Sequence, residues 1–259
     1  MKKSTKILTG VISVMIVGGL LLMGIGYMNG ADPFKMYEEN KDMLSITIDD
    51  KEYINDPEEN NIYSVPTEGI NSIEIDWVSG EVEIIPYDGY EILIEENSSE
   101  NIPEKYVLGY KVEEGELEIN HFRNDIVGIN IDTPEKKLVV KVPETLATSM
   151  HKVSCSAVSA NVYVGDFGLA ELDVESVSGN VYVNVIKLPQ QIEAESTSGD
   201  IEISIPETSE FRGTFETVSG DMASDFSITS TGGNFIHGHG ISIIEVETVS
   251  GNFNLKYRK

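Results

Sequence analysis

From residue 70 onward, apolar and polar residues alternate with a period of two in short runs: NSIEIDWV, EVEIIPY, YEILIEE, ELEINHF, KKLVVKVP and beyond. Successive side chains of a β-strand point to opposite faces, so this alternation predicts strands with one buried face. No segment of this region sustains the 3.6-residue apolar period of an amphipathic helix. The pattern predicts an all-β domain over residues 70–259.

One phrase recurs within it. ESVSGNVYVNV at residues 175–185 returns as ESTSGDIEISI, ETVSGDMASDF and ETVSGNFNLKY. Taking the turn glycine as position zero aligns Gly80, Gly179, Gly199, Gly220 and Gly251, with Ala160 in the related stretch CSAVSANVYV. Seven residues earlier stand Ile73, Val153, Leu172, Ile192, Gly213 and Ile244, and five earlier Ile75, Cys155, Val174, Ala194, Phe215 and Val246. Positions plus two and plus four are also mainly apolar, from Val82 and Ile84 in the first copy to Phe253 and Leu255 in the last. Columns of this kind are what stacked strands sharing one inward face require.

The turns are separated by 80, 19, 20, 21 and 31 residues. A period near 20 fits one coil of a β-solenoid, and the 31-residue interval carries an insertion around STGGNFIHGHG. In the 80-residue interval the coils are degenerate or the chain takes another β arrangement. At the turn itself, glycine is expected to supply a positive φ, and the flanking Ser and Asn or Asp to hydrogen-bond nearby backbone.

The amino terminus is different. MKKSTK precedes 22 uncharged residues, 7–28, long enough at about 1.5 Å per residue to cross the roughly 30 Å hydrocarbon core of a bilayer. Lys2, Lys3 and Lys6 lie before this run and NGADPF follows it, so the positive-inside rule predicts a cytoplasmic tail at residues 1–6 and an extracytoplasmic remainder. A cleaved signal peptide is the alternative, but the run exceeds a usual h-region and no A-x-A-like site follows. No cysteine follows it to carry a lipid anchor. Residues 29–69, rich in Pro, Asn and acidic clusters, read as a juxtamembrane spacer with an edge strand near residues 45–48.

Composition narrows the partners. A formal net charge of −26 leaves no clustered Lys and Arg for phosphates, which argues against nucleic acid and favours cationic partners. With one cysteine, Cys155, the domain cannot staple itself by internal disulfides. Cys155 shares a column with Val174 and Ala194, which makes it a core residue rather than a nucleophile. Ser178, Ser198, Ser219 and Ser250 read as turn residues, since equivalent copies have no unique base to activate them. His237 and His239 in FIHGHGI lack a recognisable third metal ligand and read as part of a flexible glycine-rich insertion. Tyr163 and Tyr182 share the outward plus-three position, where an aromatic strip for sugar is conceivable.

The S/T-V/T-S-G-D/N turn with its alternating strand, KKLVVKVPETL upstream and an amino-terminal anchor together resemble the bacterial putative-adhesin β-repeat family, including LiaG-like membrane-anchored proteins. The resemblance covers residues 70–259. It implies a right-handed parallel β-helix or β-solenoid ectodomain on the cell envelope, often in envelope-stress contexts, and supplies no catalytic residues.

Outward positions hold the candidate chemistry. At minus six stand Glu74, Ser154, Asp173, Glu193, Thr214 and Glu245, and at minus four Asp76, Ser156, Glu175, Glu195, Glu216 and Glu247. Stacked at about 4.8 Å, these would form two acidic ladders. Of them Asp76, Asp173, Glu175, Glu193, Glu195, Glu216, Glu245 and Glu247 are the candidate ligand- or cation-binding residues, with Ca²⁺ as the conceivable ion; the bland alternative is a solvated face that keeps a β-rich protein soluble. No catalytic residue is assigned. The expectation is a non-enzymatic interaction or adhesion module that contacts an envelope component or membrane protein. The alternatives are a polysaccharide-active β-helix enzyme and a regulatory partner of a membrane stress sensor.

Overall fold

A computed structural model describes residues 61–99, 101–103, 106–122 and 135–258. The tail, the membrane helix over residues 7–28 and the edge strand near residues 45–48 fall outside these residues.

The strands run in chain order as β1 (Ile62–Pro66), β2 (Ser72–Tyr87), β3 (Glu91–Asn97), β4 (Gly109–Glu113), β5 (Glu116–Asn120), β6 (Lys136–Pro143), β7 (Lys152–Phe167), β8 (Glu171–Ser176) and β9 (Val181–Val185). They continue as β10 (Gln191–Ser196), β11 (Ile201–Ile205), β12 (Phe211–Ser219), β13 (Met222–Ser224), β14 (Thr229–Thr231), β15 (Asn234–His237), β16 (Ser242–Ser250) and β17 (Phe253–Tyr257). These 17 strands of the described residues join one mixed, largely parallel sheet.

Each repeat contributes one rung: a strand, the turn at position zero, and a second strand. Val174 pairs with Ala194 and Val181 with Ile201, so residues about twenty apart lie side by side, as the columns predict. The sheet bends at the glycine column, and the inward residues of both halves, such as Ile192 and Ala194 before it and Ile201 and Ile203 after it, belong to one buried core. Cys155 is buried there, and burial pushes its thiol pKa up. Tyr63 and Val65 of β1 are also in that core, so the sheet begins inside the segment expected to be a spacer. Strand β1 pairs antiparallel with β3, an arrangement that leaves no repeat for the eye to find.

The rungs do not stack in chain order. The spatial series is β5/β6, β2, β7, β8/β9, β10/β11, β16/β17 and β12/β13. The last rung of the chain is inserted between its two predecessors, and at the other end β2 lies inside β5 and β6. The 80-residue interval is therefore a second β arrangement: an outer rung, β5/β6, with β4 pairing antiparallel to β5 and β3 antiparallel to β6.

The glycine-rich insertion is an ordered cap. Strands β14 and β15 form an antiparallel pair, and β15 lies antiparallel along β12 at the end of the stack. Phe235 of β15 is buried and contacts Phe211 and Phe253. Gly213, which breaks an apolar column, is what admits it: a Cβ there would lie 2.6 Å from the Phe235 ring and 1.9 Å from the Ile244 carbonyl oxygen. The cap side chain fills the place that the column residue vacates.

Candidate functional site: the outward face of the stacked strands

The corner between the two half-sheets fixes how the rungs align. At position plus one, Asn180 N donates to Asn161 Oδ1 (2.9 Å), Asp200 N to Asn180 Oδ1 (2.9 Å), Asn252 N to Asp200 Oδ1 (2.8 Å) and Asp221 N to Asn252 Oδ1 (3.1 Å). Each side-chain oxygen thus accepts from the next rung and pins the register. Inside the corner, Ser176 and Ser196 hydroxyls donate to the carbonyls of Ala160 and Gly179.

The turn glycines serve close approach rather than left-handed backbone. Of the five, only Gly80 has a positive φ, +102°. At Gly179, Gly199, Gly220 and Gly251 an added Cβ would lie 1.8–2.0 Å from a carbonyl oxygen of the neighbouring rung. The expected positive φ is corrected for these four: the missing Cβ lets adjacent corners touch. Ala160, the one departure in the column, pairs with Gly80, the one glycine of different conformation.

This alignment places the acidic residues. Asp173, Glu193 and Glu245 are consecutive in one outward column, while Glu175, Glu195, Glu247 and Glu216 are consecutive in the other. Asp76 stands apart from its column, separated from Glu175 by Ser156. Neighbouring carboxylates about 4.8 Å apart repel by roughly 0.9 kcal/mol at the dielectric of water. Lys152 meets Asp173 at 3.2 Å, and Gln191 Nε2 donates to Glu245 Oε2 at 3.2 Å.

Glu195 sits in the middle of the strip. Partial burial, followed by the neighbouring Glu175 and Glu247 carboxylates, pushes its pKa up to about 7, and burial followed by Asp173 and Glu245 raises that of Glu193. A carboxyl with a folded pKa above its unfolded value destabilises the fold once ionised. That penalty is absent below the unfolded pKa and complete above the folded one, so it grows from about pH 4.5 to about pH 7. His121 acts oppositely: burial and then Lys136 lower its pKa to about 2, so stability falls as pH drops below about 6.5. The melting temperature should therefore rise between pH 8 and pH 6.5. Glu195→Gln should raise the pH 8 value and flatten that slope; calorimetry at both pH values checks this, and an unchanged slope would refute it.

Among the described residues, no three His, Cys, Asp or Glu side chains converge as a metal site. The strip spreads charge along the stack instead of gathering oxygens around one point. His237 Nδ1 lies 3.0 Å from the Ser227 carbonyl with its ring stacked on Phe211, whereas His239 faces Glu210, so the two imidazoles serve separate contacts. Tyr163 and Tyr182 stack on each other at 4.7 Å and 6°, which turns a face of each ring toward its partner rather than toward a sugar.

A family model described as toastrack DUF4097 matches residues 34–256. The chain belongs to this family. A crystal structure described as a putative cell adhesion protein from Clostridium sporogenes ATCC 15579 is similar over 76% of this chain and 97% of that one, at 17% identity and a TM-score of 0.59. A second, described as a putative adhesin from Bacteroides fragilis NCTC 9343, covers 82% of this chain and 100% of that one at 14% identity and a TM-score of 0.35. No curated protein matches. The Clostridium structure has the same fold as this toastrack chain.

Two features escaped the sequence reading. One is a buried centre at the β2 end, where Lys136 Nζ donates to Glu96 Oε1 (2.6 Å) and the carbonyls of Tyr106 (2.7 Å) and His121, beside Trp77. The other is the valine at position minus two of each V-S-G copy, which lies on the same outward face as the carboxylates at minus four and minus six.

Proposed function

We propose that this toastrack domain is a non-enzymatic interaction or adhesion module, a right-handed β-solenoid held on the outer side of the membrane by a single helix over residues 7–28. The observation that carries it is the repetition of near-equivalent outward chemistry on successive rungs. An extended partner can use such a surface, whereas catalysis calls for one unrepeated acid-base constellation. The description of the Clostridium protein as a putative cell adhesion protein agrees with this role.

The test is capture of envelope components by the full-length chain in neutral-lipid nanodiscs, with empty nanodiscs as control. Saturable retention of one component is expected. Turnover of an envelope polysaccharide, read as newly formed reducing ends or unsaturated uronates, would overturn the non-enzymatic role.

A further inference from the structure

The outward face of the half-sheet before the turn has a third column beside the two acidic ones. In spatial order it reads Val78, Val158, Val177, Thr197, Val249 and Val218. Backbone bonds tie its rungs together: Ser178 N donates to the Val158 carbonyl, Ser198 N to that of Val177 and Ser250 N to that of Thr197. Val218 is 83% exposed, Val249 40% and Val158 38%, and the other three are half-buried. Water thus meets a row that is valine at five of its six positions, with the Glu175, Glu195, Glu247 and Glu216 column running parallel to it, two residues away along each chain segment; Val177 and Thr197 stand just past the ends of β8 and β10.

The dimensions select a partner. Five steps of about 4.8 Å give the row a length of roughly 24 Å, and two residues along a strand set the columns roughly 7 Å apart. An α-helix with a pitch of 5.4 Å and a width of about 10 Å matches both: about sixteen residues span the row, and its flank overhangs the carboxylates. An extended peptide laid along the stack would repeat its side chains every 6.8 Å or so and lose register within a few rungs. A second copy of this chain would bring one acidic face against another at a net charge of −26 each.

We propose that this face docks a cationic amphipathic helix, its apolar stripe along the valine row and its Lys or Arg flank over the acidic columns. The proposal rests on the interaction role above and names where the partner binds. Protonation of Glu195, which stands between Glu175 and Glu247 and beside Glu193 and Asp173, removes one of the carboxylates that attract the cationic flank and weakens the binding.

The probe is a synthetic sixteen-residue helix of Leu and Lys with apolar positions at i, i+3, i+4 and i+7, titrated into the full-length chain in neutral-lipid nanodiscs. A scrambled peptide of the same composition is the comparator. The amphipathic helix should bind more tightly, and V158T/V218T/V249T should weaken it on the order of tenfold, since each substitution removes an apolar contact from an exposed position. E195Q/E247Q should weaken it too and reduce its salt dependence. Equal binding of the scrambled peptide, equal binding by the threonine variant, or no binding overturns the proposal. Should the Gln variant fail to fold, the threonine variant alone decides. A threonine variant that loses the helix but still captures the envelope component leaves the interaction role standing with another seat; failure of capture by the wild type sinks that role instead.

Discussion

Gly199→Ala is expected to destabilise the protein by about 3 kcal/mol or more, lowering the melting temperature by roughly 6–12 °C. The new Cβ would lie 2.0 Å from the Gly179 carbonyl oxygen, and that oxygen is backbone, so relief requires the rungs to part. Parting them strains the Asp200-to-Asn180 bond and the Ser196 bond to Gly179 at the same corner. Gly165→Ala is the control. Its Cβ would rest 3.6 Å from Ile85 Cγ2, ordinary contact, and the change should stay within about 1 kcal/mol of neutral. If both variants melt alike, the glycines are not there for close approach.

Lys136→Met should cost about 3–5 kcal/mol. Lys136 and Glu96 are fully buried partners, and burial drives the Glu96 pKa up and the Lys136 pKa down against their mutual attraction. Removing the ammonium strands the carboxylate as well as the Tyr106 and His121 carbonyls. Lys136→Met with Glu96→Leu should recover part of the loss, because no buried charge remains, but not all of it, since both carbonyls and the Leu108 amide lose partners. Trp77, the only tryptophan, has its ring 4.9 Å from Lys136 Nζ, so its emission should shift in the single variant. A Lys136→Met protein of wild-type stability would mean that the pair is not formed.

Much of the fold was legible because a column of like residues is a direct imprint of stacking. Ile192, Ala194 and Val246 share an environment, and the alternation declares it. The order of the rungs was not legible, for a physical reason: exchanging two rungs leaves every column unchanged. Only the cap betrays the exchange, through Gly213 making room for Phe235, and that is a three-dimensional fact. The acidic strip was readable from the columns: seven of its eight residues fall together, and Asp76 does not because Ser156 stands between it and Glu175 in the sequence column as in space. The Lys136 centre was hidden because its members, Trp77, Glu96, Tyr106, His121 and Lys136, are scattered over the irregular interval and no repeat relates them. The valine row follows from the same alternation, since position minus two has the parity of minus four and minus six and so shares the face of the carboxylates.

Inserted rung order is the claim on which the corner ladder, the cap and the docking face all depend, and paired cysteines test it most directly. In a Cys155→Ala background, Glu202→Cys with Asn254→Cys should oxidise readily to a disulfide, because these residues pair across adjacent strands. Glu202→Cys with Ala223→Cys should not, since β17 lies between them and two rungs span roughly 10 Å. Rungs stacked in chain order would give the opposite result, and a disulfide between positions 202 and 223 would contradict the account.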